Sequence, residues 1–471
     1  MVLEIKKWLK SRDADTEASQ KLPKRVIDVL SSPDSSVVNL KEVDPNLNGS
    51  EGRYICLSHR WSQLTQPLTT TMESLPSRKQ GIRLLDLSQT FQDIIEITKR
   101  LEVRYLWIDS LCILQDSRDD WEDESNKMGQ YYKSSWLTIG AGMDGDGLYL
   151  GRTTPSRPYL KLVVPTVDPL QPLSNLYFLQ DPHTRPVRDI FAPNQSPLYS
   201  RGWTLQEEIL SPRFLSFEPT QVYFRCSKHI DYECGHRESV NRWNALTAQF
   251  HPDDINSKAL WIRIVENYSS RTLKVPTDKL PALSGLAQVY QNSWNDTYLA
   301  GLWKNELWTH LIWYGNMLKR PPEYLGPSWS WVSTNSVIAF AGHRFAQPCM
   351  TLVGATVNIL GKNPLGRVDA GSITIHAPVT QLIVRTTLSG ESRDPREHNI
   401  KLFTSVGERC SYHPDEPLPD DQDAITFVHI ASTMGLTLLP IQGWTDTYRR
   451  VGFAFVPGLS RTAAPAVVTI I

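Results

Sequence analysis

No stretch of this 471-residue chain approaches the ~18 uninterrupted apolar residues that a membrane-spanning helix needs, so no membrane span is expected. The opening residues, Met1 to Arg12, place a charge every few positions and lack the apolar centre of a signal peptide. A cytoplasmic location is therefore expected. The sequons at Asn48, Asn194, Asn267 and Asn295 read as chance, because such acceptors matter only on a secretory route. An excess of one charge is missing too: 49 basic residues face 50 acidic ones, a net charge of -1. That balance sets up no long-range field for a polyanion, and nucleic acid is not an expected partner. Six cysteines scattered over this length fit reduced thiols better than a disulfide framework. There is no Gly-x-x-x-x-Gly-Lys-Ser/Thr loop, internal repeat, coiled coil or low-complexity tract.

What the chain does have is apolar bulk. At 40% hydrophobic it can bury large cores, and its length suggests two to four domains. Fifteen tryptophans stand out, each an apolar ring with one N–H donor, suited to a core or to a pocket wall.

Residues 1–50 mix charge with Ser, Asp, Pro and Asn and read as a leader with a short helix and a loop. From Tyr54 strand and helix alternate. Tyr54–Leu57 reads as a strand ending at Ser58, His59, Arg60 and Trp61. Leu87, Phe91, Ile94, Thr98 and Leu101 step by three and four, an amphipathic helix capped by Asp86 or Ser88. Tyr105–Leu114 reads as a buried strand, Trp121–Tyr132 as a helix with Asp119 and Asp120 at its positive end, and Trp136–Gly142 as a third strand. This order predicts a parallel α/β sheet with flanking helices over residues 51–236. Within that unit, 143–200 reads as a partly β insertion and Arg201–Pro212 as a helix. Phe214–Phe217 and Val222–Cys226 read as a hairpin. Residues 237–326 read as mainly helical, with Trp243, Trp261, Trp303, Trp308 and Trp313 as periodic apolar positions. Residues 327–471 alternate and are punctuated by Gly and Pro, an antiparallel β region.

Three blocks mix core residues with polar groups that a core would not want: Tyr54-Ile-Cys-Leu-Ser-His-Arg-Trp61, Tyr105-Leu-Trp-Ile-Asp-Ser-Leu-Cys-Ile-Leu-Gln115 and Arg201-Gly-Trp-Thr-Leu-Gln-Glu207. In order and spacing they resemble the fungal heterokaryon-incompatibility (HET) domain family, whose signature runs roughly Leu-Ser-Tyr-x-Trp-Gly, Trp-Ile-Asp-x-Leu-Cys-Ile-x-Gln and Arg-x-Trp-x-x-Gln-Glu. Further landmarks of long family members resemble Gly301–Trp303, Leu311–Trp313, Pro327–Trp331 and Tyr448–Gly452. The chain departs from the signature at His59 and Ser62, where the family usually has Tyr and Gly. His59 adds a group that titrates near neutrality, and Ser62 adds a side chain where backbone approaches a ligand.

The site residues expected from these blocks each have two readings. Asp109, at a strand's carboxyl end where ligands of open parallel sheets sit, either works or caps a helix or pairs with Arg201. Glu207, beside Gln206, Trp203 and Arg201, either acts as a general acid or base or forms a structural ion pair. His59 beside Trp61 is an acid, a donor or a solvent-facing loop histidine. Cys112 reads as inert filler in an apolar segment. Cys226-x-x-His229 with Cys234-x-His236 has zinc-type residues at irregular spacing, and no metal is expected. Trp329 and Trp331, two apart, put both rings on one side of a strand, as core or as pocket wall.

The resemblance implies two activities. HET domains are similar in outline to TIR domains, some of which cleave NAD. NAD would then be a substrate, with Glu207 or Asp109 at the ribose of a cell-death effector. Other HET-like proteins belong to specialised metabolism and shape hydrophobic intermediates. The missing oligomerisation module, Ser62 and the abundant tryptophan tilt the reading to this second activity: a stand-alone, cofactor-independent cyclase, possibly of Diels-Alder type. Asp109, Glu207, His59 and Arg201 would do its chemistry. Trp61, Trp203, Gln206, Trp329 and Trp331 would hold a hydrophobic small molecule, and orientation alone is worth up to ~7–11 kcal/mol. A non-enzymatic interaction module is the third reading; it predicts no enclosed apolar pocket of ~300–1,000 Å³.

Overall fold

Four parallel strands form the centre of a ten-stranded mixed sheet. The computed structural model describes residues 2–10, 19–32, 34, 36–44, 46, 50–60, 68–142, 146–148, 159–164, 174–179, 196–218, 222–233, 235–239, 257–315, 320–342, 347–386, 400–419, 421–457 and 463–471. In chain order the strands of this sheet are β1 (Arg25–Asp28), β2 (Val37–Glu42), β3 (Tyr54–Ser58), β4 (Ile82–Arg83), β5 (Tyr105–Trp107), β6 (Leu137–Ala141), β7 (Phe214–Phe217), β8 (Val222–Arg225), β9 (His229–Tyr232) and β10 (Arg237–Ser239). They lie in the order β10-β9-β8-β7-β6-β3-β5-β1-β2-β4. β5, β3, β6 and β7 are parallel, and every other pairing is antiparallel.

The expected parallel sheet is present as the central strands, and antiparallel strands added on both sides make the whole sheet mixed. Parallel neighbours need a crossover, and helices supply it: α1 (Gln89–Arg100) between β3 and β5, then α2 (Asp109–Cys112) and α3 (Arg118–Ser134) between β5 and β6. On one flank β7 to β10 follow one another through short connections that return the chain antiparallel, whereas on the other β1 pairs with β5 and β2 with β4 across long stretches of sequence. Helix starts follow the sequence signals. The Ser88 hydroxyl accepts from Phe91 N at the head of α1, and Ser117 accepts from Asp120 N at the head of α3.

The strand expected over Tyr105–Leu114 is cut short. β5 stops at Trp107 and the chain turns into α2, where the Asp109 carboxylate takes the N–H of Ser110 at 2.7 Å. Buried Arg25 holds the far end of that turn by donating to Cys112 O at 2.7 Å. A continuous apolar run was therefore a strand plus a helical turn, which periodicity cannot separate.

α4 (Trp203–Leu210) lies against the sheet, with α5 (Ser257–Ser269) and α6 (Pro281–Trp294) beyond it. A Cβ on Gly129 of α3 would come within 2.6 Å of Gly285 Cα in α6, so these helices meet backbone to backbone and leave no room for a side chain. The 143–200 insertion contains one described hairpin, Tyr159–Val164 against Ser174–Leu179. After α7 (Leu307–Leu311), β11 (Trp313–Gly315) pairs with β12 (Ile338–Phe340). Trp261 and Trp308 lie on helices, Trp303 and Trp313 lie on short strands, and Trp243 lies outside the described residues.

The C-terminal part is an eight-stranded sheet: β13 (Thr351–Ile359), β14 (Val368–Thr386), β15 (Ile400–Phe403), β16 (Arg409–Pro414), β17 (Ala424–Ala431), β18 (Met434–Pro440), β19 (Thr447–Phe455) and β20 (Ala464–Ile470). Long β14 pairs with β13, β15, β17 and β20, so the sheet curls onto itself. Its pairings are antiparallel except β19 with β20. One apolar cluster runs from Ile5 through the α/β part to Ile470 in β20, and a second fills the curled sheet.

Candidate functional site

The carboxyl ends of β3 and β5, adjacent and parallel, both point to the start of α4. Ligands of open α/β sheets bind outside that edge. β3 contributes Ser58 and His59. β5 contributes Asp109, two residues past its end, and α4 contributes Glu207 with Arg201 just ahead of it. The connections are direct. The Ser58 hydroxyl donates to Glu207 Oε2 at 2.5 Å, His59 Nδ1 stands 3.6 Å from Asp109 Oδ1, and Arg201 Nη1 donates to His59 O at 2.7 Å. Phe91 of α1 packs its edge on the His59 ring at 5.1 Å between centroids. From α3, the Tyr132 hydroxyl reaches Glu207 and also lies 3.3 Å from Leu57 O.

Glu207 is buried at 6% exposure, and its carboxyl is pushed up to about 7. Burial is the largest cause, and the Asp109 charge adds to it. Ser58, Arg201 and Tyr132 pull the other way. The result is an acid that exchanges its proton near neutrality, where general acid–base catalysis is most effective. His59 is also buried; desolvation pushes its ring below the ordinary histidine range, and the Asp109 charge partly restores it. A neutral imidazole, a half-buried carboxylate and a carboxyl poised near pH 7 therefore sit together at one sheet edge.

A family model described as "Heterokaryon incompatibility protein (HET)" matches residues 54–207, from the first residue of β3 to Glu207 itself. The chain carries a heterokaryon-incompatibility domain. No curated protein and no solved structure matches the chain.

The other residues expected at the HET-domain site have separate surroundings. Gln206 points to α6, where its Oε1 accepts from Gly285 N at 3.1 Å. Trp203 meets Trp121 of α3 edge-on at 6.4 Å. The cleft over Trp121, lined also by Arg118, Asn126, Pro281, Leu360 and Arg367, offers about 30 Å³, room for two or three waters at roughly 10–15 Å³ each. Trp329 and Trp331 are fully buried; they lie in a turn and a 3₁₀ segment rather than on a strand, which corrects the two-residue strand pattern. Pro327 and Ser330 make that turn, the Ser330 hydroxyl taking Val332 N at 3.2 Å. The Trp331 ring meets Tyr268 of α5 edge-on, and its N–H bonds Gly301 O at 3.1 Å. Trp61 and Ser62 lie outside the described residues.

Cys112 is buried and its thiol is pushed up to about 12 by desolvation, so it stays protonated at neutral pH. Cys226 Sγ lies 3.6 Å from His229 Nδ1, and His229 Nε2 faces Asp231 at 2.9 Å; Cys234 is outside the described residues. Among the described residues no group of three or more His, Cys, Asp or Glu side chains is arranged to hold a metal ion.

Ser58 and Tyr132 were not singled out from sequence. Ser58 ends an otherwise apolar strand, and Tyr132 occupies an ordinary helical repeat position. The only signal was the Ser inside the Leu-Ser part of the first block.

Proposed function

We propose that the HET domain cleaves the N-glycosidic bond of NAD or a related nucleotide, releasing nicotinamide. The convergence of Glu207 and Asp109 with His59 at the carboxyl ends of β3 and β5 carries this reading. Two acidic residues beside one ribose suit such a bond, whose cleavage passes through an oxocarbenium-like ribosyl cation. Nicotinamide leaves a pyridinium as a neutral molecule and needs no proton. Carboxylate charge is needed beside the sugar, and Asp109 would supply it. Glu207, poised near neutrality, would take the proton of the attacking water, giving ADP-ribose, nicotinamide and H⁺. Loss of NAD would be the route to the cell-death role of an incompatibility effector.

Cyclisation of a hydrophobic intermediate, the activity favoured from composition, requires indole rings around a substrate. Trp203 is engaged with Trp121, Trp331 with Gly301 and Tyr268, and Trp329 is fully buried, and this draws support away from that reading.

Incubation of the full chain with NAD separates the two. Nicotinamide and ADP-ribose should accumulate in equal amounts, and Glu207→Gln should lower the rate by about 10²-fold or more. No nicotinamide from the wild type, or an equally active Glu207→Gln, ends the proposal and returns cyclisation to the front.

A further inference from the structure

Glu207 accepts a hydrogen bond from the Ser58 hydroxyl, and the Tyr132 hydroxyl of a second element acts on the same carboxyl; neither belongs to the acid–base set described above. Ser58 is 1% exposed, at the last position of a strand whose other residues, Tyr54–Leu57, are also buried. Its Oγ lies 2.5 Å from Glu207 Oε2, the length of an O–H···O⁻ bond to a charged acceptor. Tyr132 of α3, 1% exposed, donates to the Leu57 carbonyl on β3 at 3.3 Å, beside the same carboxyl, which it helps to ionise. We propose that Ser58 and Tyr132 are positioning residues, which fix the Glu207 carboxylate in place and determine the pH at which it releases its proton.

A hydroxyl that donates to a carboxylate favours the ionised form, so Ser58 opposes the effect of burial, and the nearby Tyr132 dipole acts in the same direction more weakly. The other titratable or charged groups facing Glu207 are Cys56 on β3, Asp109 beyond β5, and Arg201 ahead of α4, with His59 close by through Asp109 and Arg201. Burial keeps the Cys56 thiol and the Tyr132 phenol protonated, so neither adds a charge at working pH. Asp109 and Arg201 act in opposite directions, which leaves the hydroxyls as the adjustable part of the balance.

The inference rests on the proposed hydrolysis only for its kinetic half. The carboxyl carbon of Glu207 is followed by NMR through a pH titration of the full, ¹³C-glutamate-labelled chain, assigned with Glu207→Gln. Ser58→Ala should move the midpoint up by about one to two pH units. Tyr132→Phe should move it the same way by a smaller amount, and Ser58→Thr, which keeps a hydroxyl, should return it toward the wild-type value. The matching limb of the pH profile for nicotinamide release should move by the same amount. A moved midpoint with no nicotinamide release from any variant sinks the hydrolysis and leaves the positioning role intact. An unmoved midpoint in folded Ser58→Ala sinks the positioning role whatever the activity. If Ser58→Ala does not fold, Tyr132→Phe decides alone, and an unmoved midpoint there is equally fatal.

Discussion

Arg450 and Glu207 are both buried ionisable groups, and the fold treats them in opposite ways. In the C-terminal region Arg450 of β19 is 0% exposed, and each of its guanidinium nitrogens donates a hydrogen bond. It donates to Asp415 Oδ2 at 2.8 Å, to Leu311 O at 2.7 Å and to Trp313 O at 2.5 Å, and it lies 3.5 Å over the Trp313 ring. In the HET domain Glu207 is buried nearly as deeply, yet its facing charges include a second carboxylate, Asp109, and its carboxyl is pushed up to about 7. The first arrangement uses the guanidinium to hold α7, β11 and β19 together around Asp415. The second leaves a proton free to come and go. Buried charge alone does not mark a site; the incompleteness of its compensation does.

The comparison breaks most visibly at Arg450. Arg450→Met should leave two carbonyls unpaired in the core and Asp415 with only the longer contact to Arg320, at 3.7 Å, and cost about 3–5 kcal/mol of stability. The double variant Arg450→Met with Asp415→Leu should recover part of that loss, because no lone charge remains. Urea unfolding of both would show it; equal losses would mean the pair was not the clamp. At Glu207 the sign reverses. An acid whose folded midpoint lies near 7, against an ordinary value near 4.5, gives stability that is fully present below about pH 4.5. That stability is lost as pH rises through 7. Glu207→Gln removes the penalty, so it should be neutral near pH 4 and stabilising by about 1–3 kcal/mol at pH 8, while activity falls. A stability difference independent of pH would mean that Glu207 does not titrate where burial places it.

Some of this was legible beforehand. The helix over Leu87–Leu101, the helix around Trp121–Tyr132, and the hairpin of Phe214–Phe217 with Val222–Arg225 follow from three-four steps, capping residues and alternation. Those are local properties and survive folding unchanged. The meeting of β3, β5 and α4 came from the ordered blocks rather than from periodicity. The antiparallel flanks β1, β2 and β4 were missed because pairing direction is set by long-range contacts, which short segments do not announce. The end of β5 at Trp107 was missed because apolar strand and apolar helical turn look alike in sequence. Trp203, Trp329 and Trp331 illustrate the same limit: residue type says that a ring will be buried, while only the fold says against what.

The smallest effect in this series is at Lys279, which lies between the two extremes. Its ammonium is 6% exposed, touches Thr334 O and lies 5.2 Å over the Trp331 ring, and burial pushes it down to about 7. A lysine with an ordinary value near 10.5 in the unfolded chain and about 7 when folded binds its proton more weakly in the native state. Between those values the unfolded chain holds more protons, so stability rises with pH from about 7 toward 10.5. Lys279→Met should therefore stabilise the protein by roughly 1–2 kcal/mol below pH 7, less the lost bond to Thr334, and the gain should shrink toward pH 10. A gain at pH 6 that vanishes at pH 10 would place Lys279 with Glu207, as a charge carried at a cost. Destabilisation at both pH values would place it with Arg450, as a fastener for the turn that carries Trp331 and Thr334.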